Sequence, residues 1–146
     1  MNTRLLTTVL IALFSCVVAG CGSNESASAN GRVFFVKPKN GDTIKPMSTF
    51  EFGSERVTVA AVPPGTLTPE QVRPGMIHYH LGIDADCLPP GTVIPKADPW
   101  IHFGDGKNVI EQSLTPGQHK IALQAGDDMH RTIAGLCEVI SVNVAP

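Results

Sequence analysis

The chain has 146 residues, 42% hydrophobic and 16% charged, with a formal net charge of −2. That length suits one domain, and the charged share lies well below the usual ~25%. Fourteen glycines and twelve prolines make it turn-rich. Collagen, coiled-coil and multi-span membrane architectures are excluded, and without a broad basic surface so is a typical nucleic-acid binder.

The first predicted element is an export signal over 1–20. Met1 to Arg4 is cationic and Leu5 to Gly20 is almost wholly apolar or small, a layout too short for a comfortable membrane span. Val18-Ala19-Gly20-Cys21 resembles the bacterial lipobox. The resemblance implies cleavage before Cys21, acylation of its thiol, palmitate being the expected chain, and a further acyl chain on its amine. Two or more chains anchor stably, at about 0.8 kcal/mol per buried CH₂. Ordinary signal cleavage and an uncleaved anchor are the alternatives.

Gly22 stands where an aspartate would signal inner-membrane retention. The expected location is therefore the cell envelope, at the periplasmic face of the outer membrane or at the cell surface. Residues 21–30 comprise Cys21 and a small, polar run with too little apolar surface to fold, which reads as a flexible tether. Residues 31–146 are the expected folded domain. Loss of Arg4 with the signal leaves 10 basic and 13 acidic groups. This weak acidity argues against electrostatic adhesion to anionic lipid.

Turn signals recur about every ten residues: Asn40-Gly41, Pro63-Pro64-Gly65, Pro74-Gly75, Pro89-Pro90-Gly91, Gly104-Asp105-Gly106, Pro116-Gly117 and Gly126-Asp127. That punctuation belongs to sandwiches and barrels. Strands are predicted over Val33 to Val36, Thr49 to Phe52, Val57 to Val62, Ile77 to Asp84, Asn108 to Leu114, His119 to Ala125 and Val139 to Val144. The last alternates Ile140, Val142 and Val144 with polar residues, so one face is buried. Thr68 to Arg73 allows one helical turn, with Thr68 as cap and Pro69 first. The fold expected is all-β: an immunoglobulin-like or cupredoxin-like antiparallel β-sandwich of about seven strands. Two proline-rich loops, around Pro63 to Pro74 and Pro89 to Pro99, are candidates for a binding surface.

Cys16 leaves with the signal and Cys21 carries lipid, so Cys87 and Cys137 remain. An even pair in an exported domain makes a disulfide the default. It would close a loop of about fifty residues, worth on the order of 4 kcal/mol in the chain-entropy model. Thiolate metal ligation and a redox pair are the alternatives, and the spacing is not CxxC.

All five histidines lie between residues 78 and 130. His78 and His80, two apart on one strand, point from the same face with Cα atoms about 6.6 Å apart. Two imidazoles at that separation can converge on one ion, since Zn–N bonds are about 2.0–2.1 Å. Tyr79 and Leu81 then face the core. His102, His119 and His130 each adjoin a turn, and turns from several hairpins can meet at one end of a sandwich. The predicted metal site is His78, His80, His102, His119 and His130 with Asp127 or Asp128, and with Met129 as an additional candidate. Imidazole suits Cu(II) or Zn(II), and a thioether would favour Cu(I). The competing interpretation is that these histidines are structural, in His–Asp hydrogen-bond networks that fix turns.

The blocks His78-Tyr79-His80-Leu81-Gly82-Ile83-Asp84, His102-Phe103-Gly104-Asp105-Gly106, Pro116-Gly117-Gln118-His119 and Gly126-Asp127-Asp128-Met129-His130 occur in order. Here the chain resembles a bacterial exported family, domain of unknown function 4399 (DUF4399). The resemblance covers most of Arg32 to Val144. Tyr79 replaces the middle histidine of a His-His-His run and Gly82 replaces a leucine; the Cys87/Cys137 pair belongs to a subset of the family. The resemblance implies an exported β-domain and no established activity.

Three functions follow. The first is an envelope lipoprotein binding copper or zinc for storage, delivery or sensing. The second is a non-catalytic module for an envelope protein or glycan, with Trp100 and the proline-rich loops as contact surface. The third is an enzyme: GxSxG, HExxH and SxxK motifs are missing, although a histidine-only metal site with an open position activates water.

Overall fold

A computed structural model describes residues 31–146. The expected signal peptide, Cys21 and the expected tether lie outside the described residues. β1 (Arg32–Lys37), β3 (Met47–Glu55) and β7 (Val109–Ser113) form a three-stranded antiparallel sheet in the order β1-β3-β7. The second sheet runs β2 (Thr43–Ile44), β9 (Thr132–Val144), β8 (Gly117–Gly126), β5 (Met76–Ile83) and β4 (Thr58–Val59), with β6 (Trp100–Phe103) also paired to β5. β2 lies parallel to β9 and β4 parallel to β5; the other pairings are antiparallel. Thr68, Glu70 and Gln71 form a single 3₁₀ turn with Pro69, where Gln71 Oε1 accepts from the Thr68 N–H at 2.8 Å.

The two sheets form a sandwich. Phe35, Phe50 and Phe52 from the small sheet pack between it and Tyr79, Leu81, Ile121, Leu123, Ile140 and Val142 of the large one. Phe52 meets Tyr79 edge-on at 5.3 Å between ring centroids. These residues alternate along their strands, so the pleat sends the intervening side chains to the outer face of the large sheet. On β5 that outer set is His78, His80 and Gly82. In register with them stand Gln124 and Gly126 of β8 and His102 and Trp100 of β6.

An antiparallel sandwich commonly leaves such an outer face wet. Here a second, smaller core covers it: Ile94, Trp100 and Ala122, with Ala85, Leu88 and Cys137 against them. The cover is the segment between β5 and β6. Cys87 is disulfide-bonded to Cys137 with a Cα–Cα distance of 6.0 Å. Gln124 Oε1 accepts from the Leu88 N–H at 3.1 Å, while Gln124 Nε2 donates to Leu136 O at 3.1 Å. Thr132 Oγ1 donates to Pro89 O at 2.6 Å, and the Ile94 N–H donates to His130 O at 2.8 Å.

The main strands match the sequence reading. β2 and β6 do not appear in it, because two residues carry no periodicity and Pro99 hides the start of β6. The strand expected over Val57 to Val62 shrinks to Thr58–Val59. Trp100, anticipated on a contact surface, is only 5% exposed: its ring lies over Gly82, where a Cβ would stand 2.9 Å from it.

Candidate metal centre

His78, His80, His102 and His130 come together on the covered outer face, with one ligand nitrogen from each within 4.8 Å of the others. β5 supplies the first two by its two-residue period. β6 adds His102 directly opposite His80. His130 comes from the turn between β8 and β9, where its backbone is left-handed at φ 63. Only a few per cent of non-glycine residues adopt that region, and this conformation is what turns the ring inward. Ring centroids lie 4.6 Å apart for His78 and His80, 4.7 Å for His78 and His130, and 4.6 Å for His102 and His130.

Two glycines make room for the rings. A Cβ on Gly104 would stand 2.8 Å from His102 Nε2, and one on Gly126 would stand 2.9 Å from His80 Cε1. The turn itself is held by carboxylates. Asp127 Oδ1 accepts from the Met129 and Arg131 N–H groups, both at 2.8 Å. Asp128 is buried and receives Arg73 through Nε at 2.9 Å, Nη2 at 2.7 Å and the backbone N–H at 3.0 Å. The Arg73 hydrogen bonds hold the Asp128 carboxyl below the usual range.

The rings are neutral at physiological pH. Burial pushes His78 down to about 3, helped by the charges that His130 and His102 would carry. His80 is pushed down to about 2, again chiefly by burial and then by His78 and the other two rings. His102 and His130 are lowered too, by burial first and by Lys96 second. Neutral imidazole is the form that binds a metal.

Hydrogen bonding leaves much of the cluster unsatisfied. His102 Nε2 and His130 Nε2 stand 2.9 Å apart, one ring donating to the other. Among the described residues, His78 Nε2 and both nitrogens of His80 are buried with no hydrogen-bond partner. Buried polar atoms are nearly always paired, and an orphaned one costs about 1–3 kcal/mol. Four donors on one ion at about 2.0–2.1 Å stand roughly 3.3 Å apart in a tetrahedron or about 4.2 Å across a square. The separations here, all within 4.8 Å, lie close to that range.

An open cleft of about 700 Å³ reaches the cluster from outside, lined by His102, His130, Lys96, Asp105, Asp128 and Met129 among others. The proline-rich loop over Val62 to Leu67 forms its far wall. His78 and His80 lie behind the two rings at its base, 1% and 0% exposed. The anticipated surface site is thus an inner site whose outer edge, at His102, is half-buried.

Three predicted candidates, His119, Asp127 and the alternative Asp128, are not in the set. Asp127 is engaged by backbone N–H groups in shaping the turn. His119 lies on the opposite face of β8, in register with Val142. It sits near the other end of the strand, with Nδ1 3.0 Å from Asp84 Oδ2 and Nε2 2.9 Å from Thr115 O. Met129 lines the cleft. Sequence reasoning passed over Arg73, Lys96, Gly104 and Gly126; the glycines beside histidines in two of the quoted blocks were the signal available for the last pair.

No curated protein matches the chain. Among solved structures, fibronectin(III)-like modules of Clostridium thermocellum CbhA are similar at 12% identity with a TM-score of 0.40. That match covers 79% of this chain and 46% of that one, so the chain spans under half its length. The family described as Domain of unknown function (DUF4399) matches residues 51–145, which include all four histidines of the cluster, and the chain belongs to it.

Proposed function

We propose that the protein is a metal-binding lipoprotein of the cell envelope, its sandwich holding one Cu(II) or Zn(II) ion on His78, His80, His102 and His130. The observation that carries this reading is the three buried, unpartnered nitrogens of His78 and His80 beside two further imidazoles. A histidine network kept for structure would satisfy those atoms with carboxylates or carbonyls. His119 does have such partners, and the cluster does not. Four neutral nitrogen donors suit zinc and copper alike. The cleft over His102 and His130 gives the ion a way in and out, as storage or delivery requires. Envelope anchoring through Cys21 rests on the lipobox pattern, and Cys21→Ser tests it by releasing the protein from membranes or blocking its processing.

The metal test is a titration of chelator-treated protein with Zn(II) and Cu(II), followed by elemental analysis. The native protein takes up one equivalent. His78→Ala/His80→Ala loses it, and His102→Gln, at the half-exposed rim where folding is not at stake, weakens it at least tenfold. Equal, weak binding by the native protein and folded His102→Gln overturns the reading.

A further inference from the structure

Five charged or titratable groups line the cleft over the cluster: Lys96, Asp105, Asp128, His102 and His130. Both carboxylates are already neutralised. Asp105 pairs with Lys107 at 2.7 Å and Asp128 with Arg73 at 2.7 Å. Lys96 is different: among the described residues no carboxylate lies in salt-bridge range of it and no hydrogen bond holds it. Its charge nevertheless acts on all four rings.

A lysine beside a cation site opposes the cation. The four ligands are neutral, so they cancel none of the ion's charge, and the nearby carboxylates are committed elsewhere. The loaded centre and Lys96 together carry about +3, against one carboxylate without a cationic partner among the described residues, Asp127, whose charge reaches His130, so the open cleft is left net positive. A negative ligand between them converts that repulsion into two attractions. The opening is wide enough for a small molecule and leads straight to the two rim imidazoles.

We infer that this cleft is a binding site for a small oxyanion, of the carboxylate class, held between the metal ion and the Lys96 ammonium. The inference rests on the metal reading above and adds the class of ligand taken by the exposed side of the centre. With an ion held by the four histidines, one oxygen of the anion would meet the ion and Lys96 would donate to the other. A charge-assisted contact of that kind contributes about tenfold or more in affinity.

The test uses Co(II) as a coloured substitute ion and acetate as the probe. Cobalt content is measured first, then the visible spectrum is followed as acetate is added. One equivalent of Co(II) and a saturable spectral change with acetate are expected. Lys96→Gln keeps its Co(II) and binds acetate about tenfold more weakly. If the native protein takes up no Co(II), this inference falls, and the metal reading falls with it where Zn(II) and Cu(II) are refused as well. Uptake of Co(II) with a spectrum indifferent to acetate overturns the anion site alone. Equal acetate affinity in the native protein and Lys96→Gln overturns the role of Lys96 and with it the site as described.

Discussion

The imidazole of His102 lies over Gly104, two residues along the same chain, so closely that a Cβ there would stand 2.8 Å from Nε2. The glycine is therefore part of how His102 reaches His130. Its backbone is outside the left-handed region, so alanine is allowed by conformation and excluded by the ring alone. Gly104→Ala is expected to fold, displace His102 and weaken metal binding about 10- to 100-fold, the range seen when groups supporting a ligand are altered. Competition titration with a chromophoric chelator measures it. An unchanged affinity would show that His102 is not held where the structure has it.

The sandwich was legible because Ile77, Tyr79 and Leu81 alternate with His78 and His80, and only one register lets both sets be placed. The same alternation marked the histidine face. It did not reveal that the face is covered, since nothing in Ala85 to Pro99 has a period; the cover depends on the Cys87–Cys137 bond and on Gln124 meeting Leu88. Membership of the cluster was harder to read. His130 and His119 each follow a turn, but one sits in a left-handed turn that points inward and the other on the inner face of β8. That difference is fixed by strand register, which turn signals alone do not give.

Acid should destabilise the metal-free protein in a defined window. His78 and His80 ionise near 6.5 when unfolded but only at about 3 and about 2 when folded. Above pH 6.5 both states hold neutral rings and the contribution is intact. Below it the unfolded chain binds protons first, so stability falls as pH drops from about 6.5 toward 3. Urea midpoints at pH 7.5, 6.0 and 5.0 should decline more steeply for the native protein than for His78→Leu/His80→Leu. Parallel declines would remove these two rings as the cause.

Those lowered values also change the expected pH dependence of metal affinity. Four unperturbed imidazoles would each lose roughly tenfold in availability between pH 7.5 and 5.5, about 10⁴ in all. With all four rings lowered by burial, protons compete poorly over this range. Zn(II) affinity should fall by less than about a hundredfold. A drop near 10⁴ would mean that the rings are far more hydrated than the structure has them.

Cys87–Cys137 should support the centre as well as the fold. It ties the covering segment to β9 beside Gln124, and that segment reaches His130 through the Ile94 hydrogen bond. Opening a loop of separation 50 removes on the order of 4 kcal/mol in the chain-entropy model. Cys87→Ser/Cys137→Ser is expected to unfold at lower urea and, where still folded, to bind Zn(II) several-fold more weakly. Native thiols counted after denaturation without reductant should number none at these positions. Full metal affinity in a folded double variant would make the disulfide a purely global brace.

His119 provides the contrast that tests how the cluster was delimited. Its odd position on β8 puts it on the face of Ile121 and Leu123, while Gln124 and Gly126 share the face of His80 and His78. It also lies seven residues from Gly126, the partner of His78, roughly 24 Å along the strand. Its partners are Asp84, whose carboxylate also accepts the Lys120 N–H at 3.1 Å, and Thr115 O. The imidazole thus joins the end of β5 to the turn before β8. His119→Ala should lower stability by about 1–2 kcal/mol through those lost hydrogen bonds, read from the urea midpoint, and leave Zn(II) stoichiometry and affinity unchanged. Because Asp84 stays in place to hold the Lys120 N–H, the variant should remain folded and the comparison clean. Loss of the bound metal in folded His119→Ala would extend the donor set to the far end of the sheet, which the separation of the two faces forbids.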